Sequence, residues 1–317
     1  MTRCLSSLPI PSNVHSESGD AKIFLLGIKC LFLCRQRVVG NSMEKVTVLL
    51  STYNGEKYLV QQLKSLVAQC GVDVTVLVRD DGSSDGTVAI LDEWQRQGVL
   101  SWYTSANLGP GKSFMHLLQT AAPGGYYAFC DQDDVWLPEK LHLTMEKMKA
   151  VEEANPDKPV IVHTDMYVVD EKLEMIHESF WRSSGLRPDI LRTFPYLCVC
   201  NGVNGCTILM NSDARELILE KYVEQDLIIH DVISALTVAY NGGVIDYIET
   251  PTVLYRQHSS NVVGAEQYSK ARALKTKFLN VGCVIKKNIR IFKAVNSIGK
   301  INIFNYLYHK LKYLLIR

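Results

Sequence analysis

The sequence predicts an α/β fold in which a mainly parallel sheet is flanked by helices. The first observation is an alternation of short β-branched or apolar runs with amphipathic segments, which is typical of right-handed crossovers between parallel strands. The second is that two of these runs end in acidic residues, because ligand sites of such sheets lie beyond the carboxyl ends of their strands. The predicted strands span 45–51, 73–79, 100–104 and 126–130, and the predicted helices span 56–69, 86–97, 111–121 and 137–154.

The most informative segment is Asp131-Gln132-Asp133-Asp134, which directly follows the apolar run 126–130. Carboxylates this close repel one another unless a cation or a hydrogen-bond network compensates them. Oxygen ligands favour a hard divalent ion, Mg²⁺ or Mn²⁺, of the kind that proteins share with substrate phosphates. The alternative is a helix N-terminus, where Asp is common and which the helix-like sequence from Leu137 would allow. The cluster alone does not decide between the two.

A second acidic turn, Asp80-Asp81-Gly82-Ser83-Ser84-Asp85-Gly86-Thr87, follows the second predicted strand and favours a ligand site. Gly82 permits a tight turn, and Asp85 can cap the helix that follows. Capping accounts for Asp85 but not for Asp80 and Asp81. Two strands that both end in carboxylates suggest one site, which would hold a ribose, a base or a metal-bound diphosphate.

Four segments, in this order and at this spacing, resemble those of family 2 glycosyltransferases. They are 48–56 at the end of the first strand, 80–87, Asn107-Leu108-Gly109, and 131–134 with Pro138. Each motif alone is weak, but the four together are specific, and the likeness covers roughly 45–264 of the chain. It implies a GT-A fold, which is a Rossmann-like, mainly parallel sheet, and transfer of a sugar from a nucleotide-sugar donor.

The resemblance implies a role for each matching residue. Four residues are expected to hold the nucleotide sugar, chiefly its base and ribose: Thr52, Tyr53, Asp80 and Asp81. Asp131 and Asp133 match the Asp-x-Asp element of the family, with Asp131 binding the donor and Asp133 the metal under the diphosphate, and Asp134 supports them. A metal there would stabilise the negative charge that gathers on the diphosphate as the sugar–phosphate bond breaks.

The acceptor side is expected in the second half of the chain. His230-Asp231 precedes the apolar run 232–240, and in the family an acidic residue at the start of such a helix deprotonates the acceptor hydroxyl. Asp231 is therefore the candidate catalytic base, although taken alone it is better explained as a helix N-cap. The segment 183–205 is expected to shape the acceptor pocket, and Trp136 and Trp181 are candidates to stack on sugar rings, unless they belong to the core.

A last motif, Tyr255-Arg256-Gln257-His258, resembles an Arg-x-His segment found in many members of the family. His258 is therefore a candidate ligand of the metal, since a neutral imidazole can complete a carboxylate-rich coordination sphere. The alternative is a hydrogen-bonded structural histidine. Processive synthases of the family carry a Gln-x-x-Arg-Trp element near this position, and its absence from the sequence favours a single addition over polymerisation.

The resemblance thus implies an inverting, metal-dependent hexosyltransferase. The amino-acid sequence of 129–140 is similar to that of bacterial rhamnosyltransferases of surface-polysaccharide biosynthesis. The expected donor is therefore a dTDP- or UDP-linked sugar, with rhamnose favoured. The expected acceptor is a saccharide, lipid-linked. Two alternatives stay open: a catalytically inactive sugar-nucleotide binder, and a sugar-1-phosphate nucleotidyltransferase. The latter needs a Gly-rich, basic phosphate loop after the first strand, which Ser51-Thr52-Tyr53-Asn54 does not resemble.

Charge is unevenly distributed along the 317 residues, although the net charge is only +1. Residues 265–317 carry twelve Lys or Arg and one acid, Glu266. Basic and apolar residues at helix-like spacing are typical of an amphipathic segment at a membrane surface, and we expect peripheral contact with a membrane rather than with nucleic acid. An equally good interpretation is a pair of helices packed on the catalytic domain with their Lys face in water.

Three parts are expected: a non-homologous or disordered leader at 1–42, a GT-A catalytic domain at 43–264, and a basic amphipathic helical tail at 265–317. The apolar run 23–34 is too short to span a membrane and is interrupted by Lys29. Nine cysteines at irregular positions do not form a disulfide framework and suit a reducing cytosol. The expected location is cytoplasmic, peripheral on the inner face of the cytoplasmic membrane.

Overall fold

The computed structural model describes residues 43–224, 229–259 and 281–317, with side chains from 289 onward in the last range. The predicted leader 1–42 and the beginning of the predicted tail therefore lie outside the described residues. In the described ranges, nine strands form one sheet. They are β1 (Lys45–Thr52), β2 (Asp73–Asp80), β3 (Leu100–Thr104), β4 (Tyr126–Cys130), β5 (Val135–Trp136), β6 (Val160–Val169), β7 (Met175–His177), β8 (Leu209–Asn211) and β9 (Val244–Arg256).

Helices cover both faces of this sheet. They are α1 (Leu59–Val67), α2 (Thr87–Arg96), α3 (Pro110–Thr120), α4 (Lys140–Ala154), α5 (Phe180–Ser184), α6 (Phe194–Leu197), α7 (Ser212–Lys221), α8 (His230–Tyr240), α9 (Val281–Ile298) and α10 (Ile303–Ile316). The four predicted strands are confirmed to within one residue and the four predicted helices to within three. The apolar runs were long enough to identify each element, and only their ends differ.

The sheet has the order β3-β2-β1-β4-β8-β6-β9-β5, with β7 beside β6. Strands β3, β2, β1 and β4 are parallel neighbours, and β6 and β9 form a second parallel pair. Strand β8 joins the two groups by antiparallel pairing. The register of β1 and β2 sets Thr52 opposite Asp80, so the predicted nucleotide-binding residues of both strands meet at one edge. The predicted α/β fold is confirmed.

The core lies on both sides of the parallel strands. Every residue of β4 is buried, because this strand runs through the middle of the sheet with helices above and below it. Leu49 and Phe129 contact one buried cluster together with helices α3 and α8. Val48 and Ala128 face the other cluster, which includes α1 and α4. The strands that end in acidic residues are therefore held on both faces and give the site a rigid base.

The two tail helices pack against the catalytic part. Ala294, Val295 and Tyr306 belong to the same buried cluster as α8, and Tyr313 is buried as well. The interpretation as packed helices is confirmed in this respect, but the outward face of α10 carries large apolar residues in addition to Lys. Within the described ranges, no helix combines the length and the apolar character that crossing a membrane requires.

Candidate active site

The loop after β2 is fixed by the carboxylate of Asp80, which is buried. Its oxygens accept hydrogen bonds from the Thr52 hydroxyl at 3.0 Å and from the backbone N–H groups of Gly82 and Ser83 at 3.1 and 2.9 Å. Gly82 adopts a φ of +85°, which favours glycine. The structure thus brings Thr52 and Asp80 together, and Asp80 joins the end of β1 to the turn that follows β2.

Asp81 has a different set of partners. It forms a buried ion pair with Arg79 and accepts the backbone N–H groups of Leu108 and Gly109, each at 2.8 Å. Arg79 also donates to the Ser113 hydroxyl at 3.0 Å. This network ties the end of β2 to the start of α3, so the Asn-Leu-Gly motif owes its position to Asp81. Sequence reasoning missed Arg79, whose only signal was a charged residue near the end of an otherwise apolar strand.

The loop after β1 is tethered to the acidic loop by Gln132. Its side-chain Nε2 donates to the Tyr53 carbonyl oxygen at 3.0 Å, and its Oε1 accepts the Tyr53 N–H at 2.9 Å. Gly55 makes this possible, because a Cβ atom there would lie 2.1 Å from the Gln132 Oε1. The Tyr53 ring is half exposed at this edge. The tether was also missed, since a Gln between two Asp gives no sign of what it contacts.

The acidic cluster lies on the connection between β4 and β5, whereas α4 begins only at Lys140. The alternative of a helix N-terminus is therefore wrong. Burial, then the negative charges of Asp133 and Asp231, raise the pKa of Asp131 to about 7. Burial and the same kind of repulsion raise the pKa of Asp134 well above its usual range. A cation at this position would relieve the repulsion among these carboxylates.

Two groups of side chains here could hold such a cation. Asp133 Oδ2 lies 2.8 Å from the His258 Nε2, so the predicted pair of metal ligands is in direct contact. In the described part of the chain, ligand atoms of Asp131, Asp134 and Cys206 also lie within 4.8 Å of one another. The first group has one carboxylate and one imidazole, and the second has two carboxylates and one thiol, so oxygen ligands prevail over the two groups together and fit a hard divalent ion better than a thiophilic one. Cys206 had no signal in the sequence, where it was one of several irregularly spaced cysteines.

Arg256 is the buried last residue of β9, and it positions His258, two residues further along the chain, beside this cluster. The Arg256 backbone N–H donates to Asp134 Oδ1 at 3.1 Å, and its Nε donates to the Asp133 carbonyl oxygen at 2.7 Å. The His258 ring rests against Tyr58, with 4.7 Å between ring centroids. The Arg-x-His segment therefore holds the acidic loop in place with its first residue and contacts Asp133 with its last.

Asp231 is buried in the first turn of α8. The N-cap of that helix is Ile229, so the alternative role of Asp231 as the N-cap is wrong. Its carboxylate accepts the Val232 N–H at 2.6 Å and the Asn201 amide at 3.3 Å. Burial raises its pKa to about 6, and its charge in turn raises the pKa of Asp131. The carboxylate of Asp231, the predicted base, thus lies within electrostatic reach of the acidic cluster.

His230 belongs to the core. Its ring stacks on Phe114 at 4.1 Å between centroids and meets the edge of Phe129 at 4.7 Å. Burial lowers its pKa to about 3, so the ring is neutral. Trp136 and Trp181 are also buried, at 1% and 4% exposure, and the proposal that they stack on sugar rings is wrong.

This mainly parallel sheet, with carboxylates beyond the ends of β2 and β4 and helices on both faces, has the GT-A fold of glycosyltransferases. Residues 47–214, more than half of the chain, match the model of glycosyl transferase family 2. The chain belongs to that family.

Relatives are similar over most of the chain, and solved structures share its fold. The dTDP-rhamnosyl transferase RfbG of Shigella flexneri is 27% identical over 264 residues, which cover 79% of this chain and 84% of RfbG. An uncharacterized glycosyltransferase of Haemophilus influenzae is 24% identical over 282 residues, which cover 82% and 80%. Two crystal structures of S. aureus TarS 1-349 share the fold. The complex with UDP has a TM-score of 0.54 at 17% identity and covers 85% of this chain and 89% of the TarS chain. The complex with UDP-GlcNAc has a TM-score of 0.52 at 18% identity and covers 85% of this chain and 80% of the TarS chain.

Proposed function

We propose that this chain is an inverting, metal-dependent glycosyltransferase that moves rhamnose from dTDP-rhamnose to a lipid-linked saccharide in bacterial polysaccharide biosynthesis. The observation that carries the proposal is that a buried carboxylate, Asp231 at the start of α8, is near enough to the acidic loop for its charge to raise the pKa of Asp131. In the proposed reaction the donor is held at Asp131 and the acceptor hydroxyl at Asp231.

Each predicted residue has a task in this reaction. Four residues form the site of the donor nucleotide: Thr52, Tyr53, Asp80 and Asp81. Tyr53 offers a half-exposed ring to the base, whereas the two buried carboxylates set the shape of the loops around it. Asp131 binds the ribose, while Asp133 and His258 hold Mg²⁺ or Mn²⁺, which when bound stabilises the charge of the departing nucleoside diphosphate.

Asp231 acts as the general base. Its pKa of about 6 leaves it ionised at neutral pH and able to accept the proton of the acceptor hydroxyl. The hydroxyl oxygen then forms a bond to the anomeric carbon on the face opposite the nucleotide, and the sugar–phosphate bond breaks, which inverts the configuration. Asn201 donates to Asp231 and orients its carboxylate toward the acceptor. An inactive sugar-nucleotide binder would not need a buried carboxylate at this place.

The choice of donor rests on the similarity to RfbG, whose name states a dTDP-rhamnosyl donor. TarS, in contrast, was solved with UDP and UDP-GlcNAc, so UDP-linked sugars are the alternative donors to test. A lipid-linked acceptor would place the enzyme on the cytoplasmic face of the membrane, where the basic tail helices can approach anionic lipid.

The test is a hydrolysis and transfer screen with dTDP-rhamnose, UDP-GlcNAc and other nucleotide sugars, with and without Mg²⁺ or Mn²⁺. Asp231→Asn should keep nucleotide affinity and lose roughly 10²- to 10⁴-fold in transfer rate. Asp213→Asn is a matched control, because Asp213 is likewise acidic in the first turn of a helix, α7, but is exposed. The proposal fails if no donor is consumed with either metal, or if Asp213→Asn slows transfer as much as Asp231→Asn.

A further inference from the structure

Helix α10 carries apolar residues on two opposite sides. Its inner side packs on the protein through Tyr306 and Tyr313, which are only 1% and 3% exposed. Its other side, which we call the outer face of α10, carries five large side chains that each expose more than half of their surface. They are Phe304 at 81%, Leu307 at 53%, Tyr308 at 57%, Leu311 at 62% and Leu315 at 76%.

These five residues form one continuous stripe. At 3.6 residues per turn they fall within an arc of roughly 100°, which is the width of the buried face of an ordinary amphipathic helix. Other exposed apolar side chains of the described residues, such as Val67 on α1 and Leu108 before α3, are spread over several elements. A contiguous exposed patch marks a surface that another molecule or a membrane covers.

The charge of the surrounding segment indicates whether a membrane or another molecule covers the outer face of α10. Residues 281–317 contain eight Lys or Arg and no acid. Four of them are exposed in the structure: Arg290, Lys293, Lys300 and Lys312. Lys312 lies next to the stripe, with its Nζ 5.9 Å from the centre of the Tyr308 ring. A long Lys stem beside an apolar stripe can keep its ammonium at the level of lipid headgroups while the stripe enters the acyl region.

We propose that the outer face of α10 is a docking surface for an anionic lipid bilayer. This deepens the function proposed above and rests on it for its purpose, which is to bring the site to a lipid-linked acceptor. The inner side of α10 packs on α6, and the chain continues from α6 to Asn201, which contacts Asp231. Docking through the opposite side would therefore hold the acceptor side of the site near the lipid surface.

A second copy of the chain fits this face less well. Two outer faces in contact would bring together two segments that each carry eight positive charges and no negative one. A single helix of fourteen residues also offers much less area than the roughly 800 Å² that each partner contributes to a standard stable interface. Anionic lipid, in contrast, complements both the apolar stripe and its charge.

The test is cosedimentation of the full chain with vesicles of phosphatidylcholine alone or mixed with phosphatidylglycerol. We expect the wild-type chain to bind the anionic vesicles, and to bind them less tightly at high salt. Each of the single variants Leu307→Ser and Leu311→Ser should bind roughly tenfold more weakly than the wild type. Val67→Ser is the matched control, because Val67 is an exposed apolar residue, 56% exposed, on another helix. Phe304→Ser, at the most exposed position of the stripe, is a second variant should the leucine variants fold poorly.

Three results would overturn the proposal. The first is that the chain does not bind anionic vesicles at low salt, and the second is that the wild type and all stripe variants bind them equally. The third is that the chain forms a dimer in lipid-free solution that Leu311→Ser converts to a monomer. Hydrolysis of the donor in water is measured on the same preparations. Vesicle binding without hydrolysis of any donor would contradict the proposed function alone, whereas hydrolysis without vesicle binding would contradict the docking surface alone.

Discussion

Replacing Gln132 by Glu tests whether the loop after β1 and the acidic loop act as one unit. Glutamate has the same size and keeps an acceptor for the Tyr53 N–H. It loses the donor, however, and sets an oxygen where Nε2 lies, 3.0 Å from the Tyr53 carbonyl oxygen. The lost hydrogen bond costs about 1 kcal/mol net, and the facing oxygens and extra charge beside Asp131 and Asp133 cost roughly 1 kcal/mol more.

About 2 kcal/mol corresponds to an affinity roughly 30-fold weaker. We therefore expect the Kd for the nucleoside diphosphate, measured by titration calorimetry at fixed Mn²⁺, to rise by about that factor. Gln69→Glu is the matched control, because the Gln69 amide also bonds the backbone: it donates to the Ser65 and Leu137 carbonyl oxygens at 3.1 and 2.8 Å and accepts the Leu141 N–H at 3.1 Å. That variant should lose stability without losing nucleotide affinity. Unchanged affinity in Gln132→Glu, or an equal loss in Gln69→Glu, would refute the reasoning.

Three further predictions concern the buried carboxylates and the metal. Burial raises the pKa of Asp231 to about 6, and a general base must be ionised to act. At saturating metal, kcat/KM should therefore rise as the pH increases through about 6 and then level off. A flat profile from about pH 5 to 8 would contradict this. His258→Gln should weaken Mn²⁺ binding roughly 10- to 100-fold in calorimetry without donor, since His258 contacts Asp133; an unchanged Kd would exclude its role. Asp81→Asn leaves the Arg79 charge buried without its ion pair, so urea unfolding should show a loss of about 3 kcal/mol, and a loss under about 0.5 kcal/mol would be inconsistent with the network.

The sequence was sufficient to predict the parallel half of the sheet and the edge that carries its acidic residues. Strands such as β4 are uniformly apolar because both of their faces are covered, and this pattern is visible without a structure. Thr52 and Asp80 were both expected at the nucleotide site, but their pairing at the ends of β1 and β2 is known only from the structure. Asp231 could be placed on a helix start by pattern, but only the structure shows that its charge reaches Asp131.

The rest depends on contacts between residues far apart in the chain. The Gln132 tether spans 79 positions, and the bond from Arg256 to Asp133 spans 123. No local pattern specifies such a pair, because each partner is an ordinary polar residue in its own segment. For the same reason the periodicity of α10 predicted an amphipathic helix but could not tell which of its two apolar sides packs on the protein. Trp136 was misjudged because a strand of two residues leaves too short a pattern to reveal burial.

The pairing of β5 has a consequence for how this protein can vary. The acidic loop leaves β4 where Cys130 pairs with Leu50, and it enters β5 where Val135 pairs with Leu254. Both ends of the loop are thus anchored to different parts of the sheet, and four residues bridge the gap between them. One inserted or deleted residue would shift β5 against β9 and turn its side chains to the other face. The loop can therefore exchange side chains but not length, whereas 183–204, which contains only the end of α5 and the short helix α6, can accept insertions.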